Sequence, residues 1–264
     1  MVNDVWVDAN GYRLHFLERG DRSLPSLLIL PGITSPAITW DFVARELASD
    51  HHVLTMDLRG RGLSDVGTDF SSAALAEDVI ASLPALGLEN PAILGHSAGA
   101  RVAVTLAALY PDARGPLVVA DVPLSGPGRA PYPTPIEPFL ESIAKAREGA
   151  TAEDMRPYFP TWTDEQLALR AEWLGTCDPD AVAAVHRNFH EEDFFEHWPA
   201  VAAPVLFLWA GAAPVVGPAG AAEAAAANPA AVVTELAGAG HMLPWDDLAG
   251  FLTIVRDFLG GGSR

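Results

Sequence analysis

Residues 92–109 read AILGHSAGARVAVTLAAL. Residues 92–94 form a short apolar run typical of a buried strand, and 98–109 repeats its apolar positions at helical spacing. Between them stands Gly95-His96-Ser97-Ala98-Gly99, a G-x-S-x-G pattern at a strand-to-helix turn, the setting in which that pattern carries chemistry. The glycines permit a turn too tight for larger side chains and lift the Ser97 hydroxyl into the open. The unpaired amides of a helix N-terminus stand behind it. A serine hydroxyl is a poor nucleophile until a base takes its proton, so this stretch requires a histidine and an acid from elsewhere in the chain.

Outward from this turn, strand and helix patterns alternate. Runs at 5–7 and 14–17 flank Asn10-Gly11, a hairpin signal because both central residues of such a turn need positive φ. Strand patterns follow at 26–30, 53–56 and 117–120, with helical patterns at 37–47 and at 73–86, the latter interrupted or kinked near Pro84. Repeated βα units imply a parallel sheet covered on both faces. After Asp121 the rhythm breaks. Six prolines fall between 123 and 138, and helical stretches follow, one opening with the capping-box sequence Thr163-Asp164-Glu165-Gln166 and another with Asp178-Pro179. The next strand pattern comes at 205–209, followed by an alanine-rich helix at 219–227, a strand at 232–236 and a helix at 246–259. The expected α/β architecture is a mostly parallel eight-stranded sheet flanked by helices. Its core is built from 1–121 and 199–264, and a helical cap, 122–198, is inserted after the sixth strand. Residues 260–264, GGGSR, read as a flexible tail.

Composition narrows the choice of partners. The 264 residues are 50% hydrophobic and 19% charged, enough to bury a full core. A net charge of −18 has the wrong sign for a nucleic-acid or anionic-membrane binder. A small anionic substrate would have to be held by local cations against that field. Cys177 is the only cysteine, which excludes an internal disulfide and a cysteine-based metal site; it reads as a small buried hydrophobe. The opening residues lack a basic region followed by an apolar one, and no apolar run reaches membrane-spanning length, so the expectation is a cytoplasmic protein.

Of eight histidines, His241 is the one that directly follows the last strand and precedes the last helix, in a loop opening on the same sheet edge as Ser97. The loop after 205–209, Trp209-Ala210-Gly211-Ala212-Ala213-Pro214, holds no carboxylate. Asp121, ending the strand at 117–120, opens at the correct edge and preserves the order Ser…Asp…His. The rivals Asp57, Asp246 and Asp247 read as turn-shaping or helix-capping residues. An oxyanion hole needs two amide donors, and the candidates are the backbone N–H of Ala98, directly after the nucleophile, and that of Ile33, in the Pro31-Gly32-Ile33-Thr34 loop.

With this turn, a distal Gly-His pair and a helical insertion, the whole chain resembles the α/β-hydrolase superfamily. PGITSPAITW (31–40), RGRGLS (59–64), SGPGR (125–129), DEQLALRAEW (164–173) and GHMLPWDDL (240–248) look, more closely, like the N-formylmaleamate deformylases, hydrolases of aerobic nicotinate breakdown. The chain is similar, more distantly, to hydrolases acting on acetamidomethylene succinate. The resemblance implies a serine hydrolase that cleaves an amide C–N bond, converting N-formylmaleamate to maleamate and formate through a formyl-serine intermediate. It implies no metal or organic cofactor, and its triad falls on Ser97, Asp121 and His241. The stretch 211–231 departs from the pattern in its alanine and proline content but touches none of these positions.

Such a substrate carries a carboxylate, which calls for an arginine fork where cap meets core. Arg129 and Arg170, in the family-like segments, are the first candidates, and Trp162, Trp173 and Phe189 are candidates to line the pocket. Two other readings stand beside this one. The first is an esterase, lactonase or C–C bond hydrolase with the same triad; the second is a non-catalytic ligand receptor on the same scaffold.

Overall fold

The computed structural model describes residues 2–260. Of the tail expected at 260–264, Gly260 ends the last helix instead, and 261–264 lie outside the described residues. Strands β1 (Asn3–Ala9) and β2 (Tyr12–Arg19) form the hairpin, with Asn10 and Gly11 both at positive φ as the two-residue turn requires. They are followed by β3 (Ser26–Leu30), β4 (His52–Met56), β5 (Ala92–His96), β6 (Leu117–Ala120), β7 (Val205–Ala210) and β8 (Val232–Leu236). The eight strands make one sheet in the order β1-β2-β4-β3-β5-β6-β7-β8. β1 pairs with β2 and β2 with β4 antiparallel, and every other pair is parallel. The central strands β4 to β7 are buried along nearly their whole length, as a sheet covered on both faces demands.

Two apolar clusters fill the space on either side of the sheet. The larger packs α2 (Ser72–Leu86) and α3 (Ala98–Leu109) onto it. The smaller holds α1 (Asp41–Leu47) and the C-terminal helix around Trp40 and Phe251, both fully buried. Pro84 does not interrupt α2. It falls in the last turn, where the bond it cannot donate is one of few still to be made, and Gly87 in the left-handed region then closes the helix on the Leu83 and Pro84 carbonyls. Residues 37–47 split into a 3-10 turn, Ala37–Trp40, and α1.

Between β6 and β7 the chain forms α4 (Glu137–Arg147), α5 (Ala152–Met155), α6 (Asp164–Leu174), α7 (Pro179–Glu191) and α8 (Phe194–His197). The capping box forms at Thr163 and Gln166, and Asp178 accepts the Ala181 N–H at the start of α7. Beyond β7, α9 (Gly217–Ala227) precedes β8. The expected single helix at 246–259 is two: α10 (Leu243–Asp246) and α11 (Leu248–Gly260), broken at Asp247, whose carboxylate accepts the Gly250 N–H. No helix among the described residues is long and apolar enough to cross a membrane.

Candidate active site

Ser97 stands between β5 and α3 with φ 53° and ψ −117°, a backbone conformation that costs about 1–3 kcal/mol and persists because packing imposes it. Gly99 makes this packing possible. A Cβ there would fall onto the Leu30 carbonyl oxygen, so the start of α3 rests directly on the end of β3. The loop after β3 lies equally close, since a Cβ on Gly32 would be 3.4 Å from Ser97 Cβ and 3.1 Å from His96 Nδ1.

His241 follows β8, and its Nε2 is 3.0 Å from Ser97 Oγ. Its Nδ1 is 2.6 Å from Asp121 Oδ2. A carboxylate oxygen accepts, so Nδ1–H donates to Asp121 and Nε2 is free to accept from the Ser97 hydroxyl. Asp121 is fully buried at φ 41°, a left-handed position at the end of β6 that turns its side chain out of the strand direction. Its other oxygen, Oδ1, accepts the Ala210 N–H at 3.0 Å. The end of β7, which carries no carboxylate of its own, therefore serves as the backbone anchor for the carboxylate on β6.

The three residues thus form one hydrogen-bonded chain, able to withdraw the serine proton as Oγ attacks and to stabilise the imidazolium that results. Ser97 and His241 line a cavity of about 320 Å³. Ile33 also lines it, and the Ile33 N–H has no hydrogen-bond acceptor among the described residues. Ala98 is buried and opens α3, so its N–H has no acceptor inside the helix.

The loop that carries Ile33 is gripped by two buried arginines. Arg61 Nε donates to the Ile33 carbonyl at 2.9 Å. Arg170 donates through one Nη to the Thr34 carbonyl and through the other to Thr34 Oγ1, the latter at 2.6 Å. Neither guanidinium pairs with a carboxylate among the described residues. Burial pushes the pKa of each down to about 10, and both remain cationic at neutral pH. Arg170 lines the cavity, packs against the ring of Phe159, and keeps its Nε–H unpartnered. Arg61 carried no sequence signal for this place, because its approach to Ile33 spans 28 residues of chain.

Other residues singled out in the sequence are placed elsewhere. Arg129 binds Glu223 at 2.5 and 2.9 Å and the Leu124 carbonyl, in a separate hollow of about 510 Å³. Its charge is neutralised by Glu223, so the expectation that it holds a substrate carboxylate at Ser97 is not met. Phe189 is in the core and, like Trp173, is not a lining residue of the Ser97 cavity, whereas Trp162 is one. Asp57 accepts from Ala37 N–H and Leu63 N–H and pairs with His15, as a turn-shaping residue would. Asp246 lines the cavity with its carboxylate on the Gly240 N–H. Tyr132, in the proline-rich stretch, borders both hollows, and nothing in the spacing of that stretch marked it.

The sequence matches the alpha/beta hydrolase family over residues 27–252. It is 45% identical over 255 residues to N-formylmaleamate deformylase of Pseudomonas putida, covering 96% of this chain and 95% of that protein. The crystal structure of an N-formylmaleamic acid deformylase from the same species superposes with a TM-score of 0.91 at 43% identity, covering 96% of this chain and all of the other. The crystal structure of E-2-(acetamidomethylene)succinate hydrolase shares the fold, with a TM-score of 0.82 at 23% identity over 98% of this chain and all of the other. By the family match over 27–252, the strand order and the near full-length relatives, this chain belongs to the alpha/beta hydrolase family.

Proposed function

We propose that this protein is a serine hydrolase cleaving an amide C–N bond, with N-formylmaleamate as substrate and maleamate and formate as products. One observation carries the reading: the Asp121–His241–Ser97 chain opens on a small cavity whose wall holds a buried guanidinium without a carboxylate partner among the described residues. An unpaired buried cation is costly, and a substrate carboxylate relieves that cost, so Arg170 is the carboxylate anchor. Arg61 adds a second positive charge behind the same loop. The aromatic walls, Phe159 and Trp162 among them, suit a flat conjugated acid. The near full-length likeness to deformylases supports the same substrate.

In this reading Ser97 Oγ attacks the formyl carbon while His241 Nε2 takes the hydroxyl proton and Asp121 stabilises the imidazolium. The N–H groups of Ile33 and Ala98 receive the oxyanion. His241 returns the proton to the amide nitrogen, the C–N bond breaks, and maleamate leaves. Water, deprotonated by His241, then attacks the formyl-serine ester and releases formate. The helices between β6 and β7 act as the cap that completes the pocket, and the cytoplasm is the compartment for the reaction.

The test is formate release from N-formylmaleamate beside a panel of simple esters and lactones. Turnover of the formyl amide well above the panel is expected, with Ser97→Ala inactive yet melting like the native protein. Preferential turnover of the esters, or an active Ser97→Ala variant, would overturn the assignment.

A further inference from the structure

His96 is an imidazole beside the Ser97–His241 pair that takes no part in the proton relay just described. Its Nε2 lies 2.8 Å from the main-chain carbonyl oxygen of His241. A carbonyl accepts only, so His96 carries its proton on Nε2 and donates it. That tautomer leaves Nδ1 bare, and Nδ1 is buried without a partner among the described residues. The ring packs against Trp40 at 5.3 Å and against His241 itself at 4.9 Å between centroids.

An orphaned buried acceptor gives up its bonds to water without replacement, and an apolar ring of similar size would avoid that cost. The bond that Nε2 makes gives the cost a purpose. His241 sits in residues 237–242, which belong to no strand or helix. Gly240 N–H is held by Asp246 and the Ala239 carbonyl by Ala212 N–H, whereas the His241 carbonyl has His96 as its partner. His96 ends β5 and is covalently adjacent to the nucleophile. One side chain therefore ties the strand that delivers Ser97 to the backbone of the residue that must stay 3.0 Å from Ser97 Oγ and 2.6 Å from Asp121 at once.

We propose that His96 is a positioning residue for the hydrolysis: its Nε2–H bond to the His241 carbonyl couples the nucleophile strand to the base loop and holds the Ser97–His241 distance. A neutral donor is required here, because a second positive charge beside His241 would oppose the imidazolium formed in each turnover. Burial and the neighbouring His241 push the pKa of His96 down to about 3, so it remains neutral throughout the working range.

The inference rests on the triad reading above, so its test uses a probe that needs only nucleophile and base. Rates of inactivation by a serine-reactive phosphonate are measured for the wild type, His96→Phe and His96→Gln, beside kcat and KM for N-formylmaleamate and melting temperatures. The Phe variant keeps a ring and loses the donor; the Gln variant restores an N–H at comparable reach. The Phe variant is expected to lose about 10–100-fold in phosphonate rate and in kcat, with KM within about 2-fold, and Gln to recover most of that loss. Should Phe fail to fold, His96→Met, a flexible apolar side chain without a donor, is held to the same outcomes. A folded Phe or Met variant reacting at the wild-type rate would overturn the coupling, as would a folded Gln variant that falls as far as Phe. A wild-type protein that does not react with the phosphonate overturns the triad and the coupling with it.

Discussion

Asp121 holds His241 through Oδ2 and is itself held through Oδ1 by the Ala210 N–H. Both oxygens are therefore committed, and the proton on His241 is confined to Nδ1. Replacing Asp121 by Asn keeps the shape but offers His241 an amide whose donor can face Nδ1, which favours the wrong tautomer. A loss of about 10⁴-fold in kcat is expected, with the melting temperature little changed. A loss of less than about tenfold in steady-state assays would move the role to another carboxylate. The nearness of Asp121 to His241 was readable because the loop after β7 holds no acid and β6 is followed directly by one. Its positive φ was not readable, since aspartate enters the left-handed region only where contacts hold it there.

At the scale of elements, the nucleophile turn depends on how closely α3 approaches the sheet. Gly95 and Gly99 keep ordinary backbone angles, so their value lies in the absent Cβ: one at Gly95 would meet the Gly99 carbonyl and Ala100 Cα, and one at Gly99 the end of β3. Gly99→Ala pushes α3 from β3 and is expected to lower unfolding free energy by at least about 1–3 kcal/mol, read from the urea midpoint. It should also depress activity, because Ser97 and the Ile33 loop share that contact. Wild-type stability would show that the approach can relax. The strands and α3 were legible from apolar runs and the Ser-Gly turn. The split at Asp247 and the 3-10 turn at 37–40 were not, because a periodic apolar face continues across both while the backbone follows local side-chain bonds such as Asp247 to Gly250.

Across the whole molecule, His15 links the hairpin to the parallel part of the sheet. It lies in β2, and its two ring nitrogens meet Asp57, just past β4, at 2.7 Å and Asp4, in β1, at 3.0 Å. Burial lowers its pKa, but the hydrogen bonds and charges of Asp57 and Asp4 outweigh this and leave it above the ordinary histidine value. A raised folded-state pKa contributes stability that is fully present below the unfolded value, about 6.5, and is lost as pH rises through the folded value. His51, whose pKa is lowered by burial, acts with the opposite sign. The difference between wild type and His15→Gln isolates the term: the melting-temperature gap should be widest below about pH 6 and narrow toward pH 9. A gap independent of pH would remove the charged His15 from the account.

The order of apolar runs, the Ser97 turn, the Gly-His pair and the missing acid after β7 are local features, and residues close in sequence determined them. They carried the fold class, the eight strands and the three proposed triad residues. The tertiary structure alone decided which arginine lines the pocket and which is paired away from it, because charge neutralisation is a matter of neighbours distant in sequence: Glu223 pairs with Arg129 across 94 residues, while Arg170 reaches Thr34 across 136 and meets no carboxylate among the described residues. It alone brought Arg61 behind Ile33 and His96 onto the His241 carbonyl. Propensity and periodicity act over a few residues, whereas the direction of a buried donor is set by whichever acceptor the packed chain leaves within its reach.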